Sequence, residues 1–181
     1  MRQMEIMAPA GGRPQLEAAV RAGADAVYLG AGAFNARRGA ANFGGDSLRE
    51  AVSYCHARGA RVYVTLNTLV TDGETAALLQ EMETIAASGC DAVIVQDLAV
   101  ARMLRECCPS LPLHASTQMS IHSIQGVRAL EELGFSRVVL ARELTAQEIR
   151  AIKDVSSLEL ELFVHGALCM SVSGQCYLSS M

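Results

Sequence analysis

The chain has 181 residues, 51% of them apolar and 4% aromatic, with no Trp and a formal net charge of −4. That is enough for one domain whose core is built from Ala, Val, Leu and Ile, and too little for two. The acidic balance offers no general phosphate-attracting surface, no apolar run approaches membrane-spanning length, and no cationic start leads into an apolar h-region, so a soluble, cytoplasmic protein is expected.

In chain order, Glu5 to Ala8 reads as an opening strand, and Pro14 suits the first turn of a following helix. Four later segments share one design, a glycine placed just before a Val-rich run: Gly23 before AVYLG, Gly59 before VYVTLN, Gly89 before AVIVQD and Gly134 before RVVLAR. Glycine takes the left-handed conformation that closes a helix most easily, so each copy predicts a helix stop and a strand start. Pro109 and Pro112 lead into one more strand, Leu113 to Gln118. Between the strands, Leu48, Val52 and Cys55 share one helical face, as do Leu78, Met82, Ile85 and Ala86, and Val127 with Leu130. Thr71 with Glu74, and Thr145 with Glu148, have capping-box spacing. The last strand, Leu158 to Val164, alternates, with Leu158, Leu160, Leu162 and Val164 on one face and Glu159, Glu161 and Phe163 on the other.

Seven strands in βα alternation predict a parallel sheet covered on both sides. The fold class expected is α/β, a (β/α)₈ TIM-type barrel that is incomplete, with about seven βα units and unpaired edges at the first and seventh strands. A Rossmann-like sheet competes, but Gly11 and Gly12 follow the first strand as GGRP and not as GxGxxG.

Parallel α/β folds gather their functional groups at the carboxyl ends of the strands. Those positions hold Asn35 and Arg37, Asn67, Gln96 and Asp97, then Ser116, Thr117 and Gln118, then Arg142 with Glu143, and His165. Such a ring of amides, hydroxyls and charges suits a small polar or anionic molecule, or a helix cap in the cases of Asp97 and Thr117. Asn35, Arg37, Asn67 and Gln118 are the candidates for holding substrate, and His165, Arg142 and Glu143 for the chemistry. Adjacent residues at a strand end point apart, so only one of Arg142 and Glu143 is expected to face the mouth.

Cys55, Cys90, Cys107 and Cys108 fall at helical or helix-end positions and read as buried thiols in a reducing compartment. Cys169 and Cys176 differ, since they stand in a short loop of small residues, with Ser171, Ser173 and Gly174 between them, directly after a strand. Three readings stay open: thiolate ligands of iron, a nucleophile at Cys169 activated by His165, or two buried structural cysteines.

Glu161, Phe163, His165, Gly166, Ala167, Cys169, Ser173, Gly174 and Cys176 resemble the signature of the collagenase-like proteins, classed among peptidases as family 32 of unknown catalytic type. Ala26 to Asn42, Val62 to Asn67, and Val138 to Leu144 followed by Glu148 and Ile149 agree with it, so the resemblance spans nearly the whole chain. It implies a barrel-type domain and, in some members, oxygen-independent hydroxylation of transfer or ribosomal RNA or of the ubiquinone ring. It also implies a four-iron four-sulfur cluster on four cysteines, with Cys169 and Cys176 as two ligands and the others beyond Met181. On this basis residues 1–181 are expected to be the N-terminal barrel portion of a longer protein. The leading expectation is an iron-sulfur protein hydroxylating RNA or a quinone precursor, with a peptidase or a non-catalytic module serving a protein partner as the alternatives.

Overall fold

The computed structural model describes residues 4–36, 40–166 and 171–173. Among them run β1 (Met7–Ala10), α1 (Arg13–Arg21), β2 (Ala26–Gly30), α2 (Asp46–His56), β3 (Arg61–Leu66), α3 (Thr75–Ala87) and β4 (Ala92–Val95). There follow α4 (Leu98–Cys107), β5 (Leu113–Ala115), α5 (Ile124–Glu132), β6 (Arg137–Val139), α6 (Ala146–Val155) and β7 (Glu159–Glu161). Hydrogen bonding orders the strands β1-β2-β3-β4-β5-β6-β7, each beside its neighbour in the chain. This is the fold class expected, α/β of the TIM type and incomplete at seven strands. A doubly wound sheet would instead reverse its strand order at a switch point. Contacts divide the chain into two compact units, Met1–Val93 and Ile94–Met181, the division falling within β4.

In the first unit β1, β2 and β3 pair in parallel, with Met7 opposite Ala26 and Ala26 opposite Arg61. Leu16, Val27, Leu29, Leu48, Val62 and Ile85 are fully buried between helices and strands, and each such side chain contributes roughly 1.5–3 kcal/mol. The predicted helical faces are buried at Leu48, Val52 and Cys55 and at Leu78, Met82 and Ile85. Ala86 is exposed instead, because it follows Ile85 by one residue, about 100° around the helix. Gly23, Gly59, Gly89 and Gly134 all have positive φ. At Gly23, Gly59 and Gly134 the next residue's N–H reaches back five residues, from Ala24 to Ala19, Ala60 to Cys55 and Phe135 to Leu130. That bond defines a Schellman closure, and it delivers the chain into the following strand.

In the second unit β5 pairs with β6 and β6 with β7, also in parallel. The register sets His114 beside Arg137, Arg137 beside Glu159, and Val139 beside Glu161. Arg137 is 7% exposed, and its guanidinium holds the Glu159 carboxylate at 2.5 Å and that of Glu161 at 3.5 Å. The capping boxes predicted at Thr71 with Glu74 and at Thr145 with Glu148 both form.

Two strands end earlier than their patterns suggest. β5 stops at Ala115, where Ser116 begins a 3-10 turn over Thr117–Met119. β7 stops at Glu161, and Leu162, Phe163 and Val164 are 44%, 50% and 95% exposed. Alternation in the sequence continued past the last residue that finds a pairing partner on β6. Among the described residues no helix is long and apolar enough to cross a membrane.

Candidate functional site

The polar groups expected at strand ends divide between the two units. In the first, the turn after β2 is tied down by amides. Asn35 is 2% exposed and its Nδ2 donates to the carbonyls of Ala31 and Gly32, at 2.6 and 3.3 Å. Asn67, just past β3, accepts the Ala36 N–H on its Oδ1 at 3.1 Å. These bonds hold a turn in which Phe34 has φ 58°, a conformation costly to a side chain that large. Thr65 donates its hydroxyl to the Leu29 carbonyl at 3.2 Å, fastening the ends of β2 and β3. Glu81 of α3 turns its carboxyl against Gly32. Burial pushes its pKa above the usual carboxylate range, against the opposing effect of the Ala33 N–H. No pattern in the sequence singled out Glu81, because it sits mid-helix among acidic neighbours. Arg37 lies outside the described residues.

In the second unit the expectation for Arg142 and Glu143 needs correction. β6 ends at Val139, so both residues occupy a turn where strand alternation no longer applies, and both reach the same target, Ser173. The backbone N–H and the Nε of Arg142 donate to Ser173 Oγ at 2.9 and 3.1 Å. Glu143 Oε1 accepts the Ser173 N–H at 2.9 Å. Ser120 completes the set by donating its hydroxyl to the Ser173 carbonyl at 2.5 Å.

Ser120 itself has φ 54°, and its carbonyl meets Nδ1 of His122 at 2.7 Å, while Ile121 O accepts Ala141 N at 2.9 Å. The Ser173 N–H holds the Glu143 pKa below the usual carboxylate range, helped by the Arg142 charge. The hold is therefore complete above the ordinary carboxylate pKa and is lost as pH falls through the depressed one. Ser173 stands among the signature residues, whereas Ser120 joins it only through the fold, since an isolated serine carries no periodic or spacing signal.

Gln118 takes its place in the 3-10 turn capped by Ser116, whose hydroxyl lies 3.5 Å from Gln118 Oε1. Asp97 is a helix cap, its carboxylate accepting the N–H groups of Ala99 and Val100. His165 is exposed in the bend after β7, and His114 is buried within β5.

Cys169 and Cys176 lie outside the described residues. Of the other thiols, Cys55 and Cys90 are buried, Cys107 is exposed and Cys108 half-buried, and all four are free. Burial pushes both the Cys55 and the Cys90 thiol up to about 11, far from the thiolate form that binds metal or attacks an electrophile. At pH 8, iodoacetamide is expected to label Cys107 and leave Cys55 and Cys90 unmodified in the folded protein; peptide-resolved mass spectrometry checks this, and equal labelling would refute the packing. Among the described residues no group of three His, Cys, Asp or Glu side chains could hold a metal ion.

Consecutive parallel βα units, with polar groups on the turns that follow the strands and Ser173 fastened to one of those turns, define a TIM-type α/β protein. The chain belongs to peptidase family U32, whose sequence profile it matches over residues 11–181. It is 40% identical over 177 residues to the 23S rRNA 5-hydroxycytidine C2501 synthase of Escherichia coli, covering 98% of this chain and 26% of that protein. It is 36% identical to tRNA hydroxylation protein P1 of Bacillus subtilis (97% and 42% covered) and 35% identical to a collagenase of Porphyromonas gingivalis (97% and 44% covered). The chain thus spans between a quarter and less than half of these relatives. Among solved structures it resembles the U32 peptidase Mk0906, with a TM-score of 0.70 at 15% identity over 88% of this chain and 68% of that one, a likeness of fold.

Proposed function

We propose that this chain is the N-terminal barrel portion of a protein that hydroxylates RNA without dioxygen, and that Cys169 and Cys176 supply two ligands of a four-iron four-sulfur cluster. The observation that carries the substrate class is similarity across nearly the whole chain to proteins named for rRNA and tRNA hydroxylation. The net charge of −4 gives this portion little general attraction for phosphate, so most of the RNA-binding surface belongs to the remainder of the protein.

The donor chemistry fits the cofactor in kind and only in part in number. Two thiols in a small-residue loop suit soft iron, while Cys55 and Cys90 are buried with their thiols pushed up to about 11, so the remaining ligands are sought outside them. Such a cluster, when bound, supplies electron-transfer chemistry. The chain's own residues do the rest. Asn35 and Asn67 shape the turn after β2, Arg142 and Glu143 hold Ser173, which lies between the cysteines in the sequence, and the exposed His165 precedes them.

The test is anaerobic purification of the full-length protein, with iron and sulfide measured for wild type and Cys176→Ala, and nucleoside mass spectrometry of RNA from cells lacking the gene. The expected result is iron that the substitution removes and a nucleoside that loses one oxygen in the deletion strain. An iron-free protein, together with an unchanged nucleoside profile, would end the proposal. The similarity to a collagenase favours peptide cleavage as a second reading. Gelatin hydrolysis abolished by Cys169→Ala would support that reading over hydroxylation.

A further inference from the structure

Arg142 stands on the turn after β6, at the end of the strands where parallel α/β folds gather their functional groups. Its guanidinium is held differently from those elsewhere in the chain. Arg13, Arg49, Arg61, Arg102 and Arg137 each meet a carboxylate, of Glu17, Asp46, Glu5, Glu106 and Glu159 respectively. Arg142 instead gives its Nε to a neutral hydroxyl, Ser173 Oγ at 3.1 Å, and among the described residues neither of its Nη groups is bonded. The adjacent Glu143 turns Oε1 to the Ser173 N–H.

Ser173 is fully buried and is itself fastened by Ser120 and Glu143, so the guanidinium is tied at one corner to a fixed atom while the residue stays exposed. A guanidinium held through Nε keeps its pair of Nη groups, two parallel donors that match two oxygens of one phosphate. The turn after β5 adds a second polar group. Ala141 N donates to Ile121 O, and the residues that follow this bonded pair, Arg142 and His122, are both exposed. The His122 Nδ1 lies 2.7 Å from the Ser120 carbonyl, which can only accept, so that nitrogen carries the hydrogen and Nε2 is left for another partner.

We propose that Arg142 binds a phosphodiester group of the RNA substrate through its two Nη groups, with the Ser173 hydroxyl orienting the guanidinium for that contact. The inference rests on the reading of the protein as one that acts on RNA. It is consistent with the acidic balance of the chain, because a single oriented contact fixes the register of an RNA without supplying the bulk of its attraction. Ordering the side chain before the RNA arrives lowers the cost of binding.

A cation that neutralises a phosphate releases counterions, so each such contact adds about 0.7–0.9 to the slope of log affinity against log salt. The experiment measures that slope for the full-length protein over a KCl series, with labelled bulk tRNA and rRNA fragments from cells lacking the gene as probes. Arg142→Ala is expected to bind roughly tenfold more weakly at low salt and to lose about 0.7–0.9 of the slope. Arg142→Lys and Ser173→Ala keep the charge and lose the oriented pair of donors, so weaker binding with the wild-type slope is expected of both. Arg150→Ala, which removes an exposed charge from α6, should leave affinity and slope near wild type. RNA bound by wild type and Arg142→Ala with one slope would overturn this proposal and leave the RNA reading standing. An equal fall in slope for Arg150→Ala would overturn it as well, by showing a general effect of charge. A wild type that binds neither probe refutes the RNA reading and this contact with it. Should Ser173→Ala fail to fold, the Arg142 variants still decide, since they retain the backbone N–H that Ser173 Oγ accepts.

Discussion

Arg137→Ala is expected to cost about 3 kcal/mol of stability, the low end of what breaking a buried ion pair costs. The guanidinium side chain is 8% exposed and faces two carboxylates, Glu159 and Glu161, whose side chains are 46% and 15% exposed. Without Arg137 the Glu159 carboxylate can turn to water, whereas the largely enclosed Glu161 carboxylate loses the Arg137 charge, and its desolvation dominates the loss. For a domain of this size the loss corresponds to a fall in Tm of roughly 6–12 °C. The double variant Arg137→Met with Glu161→Leu removes cation and anion together and should regain most of the difference. A Tm for Arg137→Ala within about 1 °C of wild type would show that the pair contributes almost nothing, as exposed pairs do.

Gly30→Ala is expected to have the next largest effect, about 1–3 kcal/mol from overpacking. An added methyl group would lie 2.5 Å from Asn42 Oδ1, 2.8 Å from Asn35 Oδ1 and 2.9 Å from Asn35 Cγ. Asn35 cannot yield without releasing the Ala31 and Gly32 carbonyls, and the turn it holds also presents the Ala36 N–H to Asn67. The substitution therefore tests the turn after β2 as well as stability, and limited proteolysis should show new cleavage near residues 31–36. Gly44→Ala is the control: nothing lies within 4 Å of the added group, and a change within about 0.5 kcal/mol is expected. Equal unfolding midpoints for the two variants would mean that the amides over Gly30 move aside freely.

Much of the fold was legible before any coordinates. The glycines at 23, 59, 89 and 134 all take positive φ, and both capping boxes form as spaced, because helix ends are governed by neighbours within five residues. Helical faces were legible for the same reason. Where the sequence pattern and the structure differ, at β1, which runs Met7–Ala10 and not Glu5 to Ala8, at the ends of β5 and β7 and at Ala86, pairing with a neighbouring strand or packing against the core decided, and neither is recorded locally.

Which polar residues follow the strands was legible, and what each of them bonds was not. Asn35, Asn67, Arg142 and Glu143 were all identified from their places after strands. Yet Arg142 and Glu143 were expected to diverge, and both converge on Ser173, since a turn replaces the strand geometry that would have separated them. Asp97, weighed between a cap and a site residue, caps α4.

Local chemistry in the sequence thus determined the order of elements, their closures, the parallel TIM-type class and the family to which the chain belongs. Tertiary structure alone decided that Ser120, Arg142 and Glu143 meet at Ser173 and which carboxylates face Arg137. Those choices join positions some 20 to 50 residues apart, and no periodicity or spacing within one element records a hydrogen bond made across such a distance.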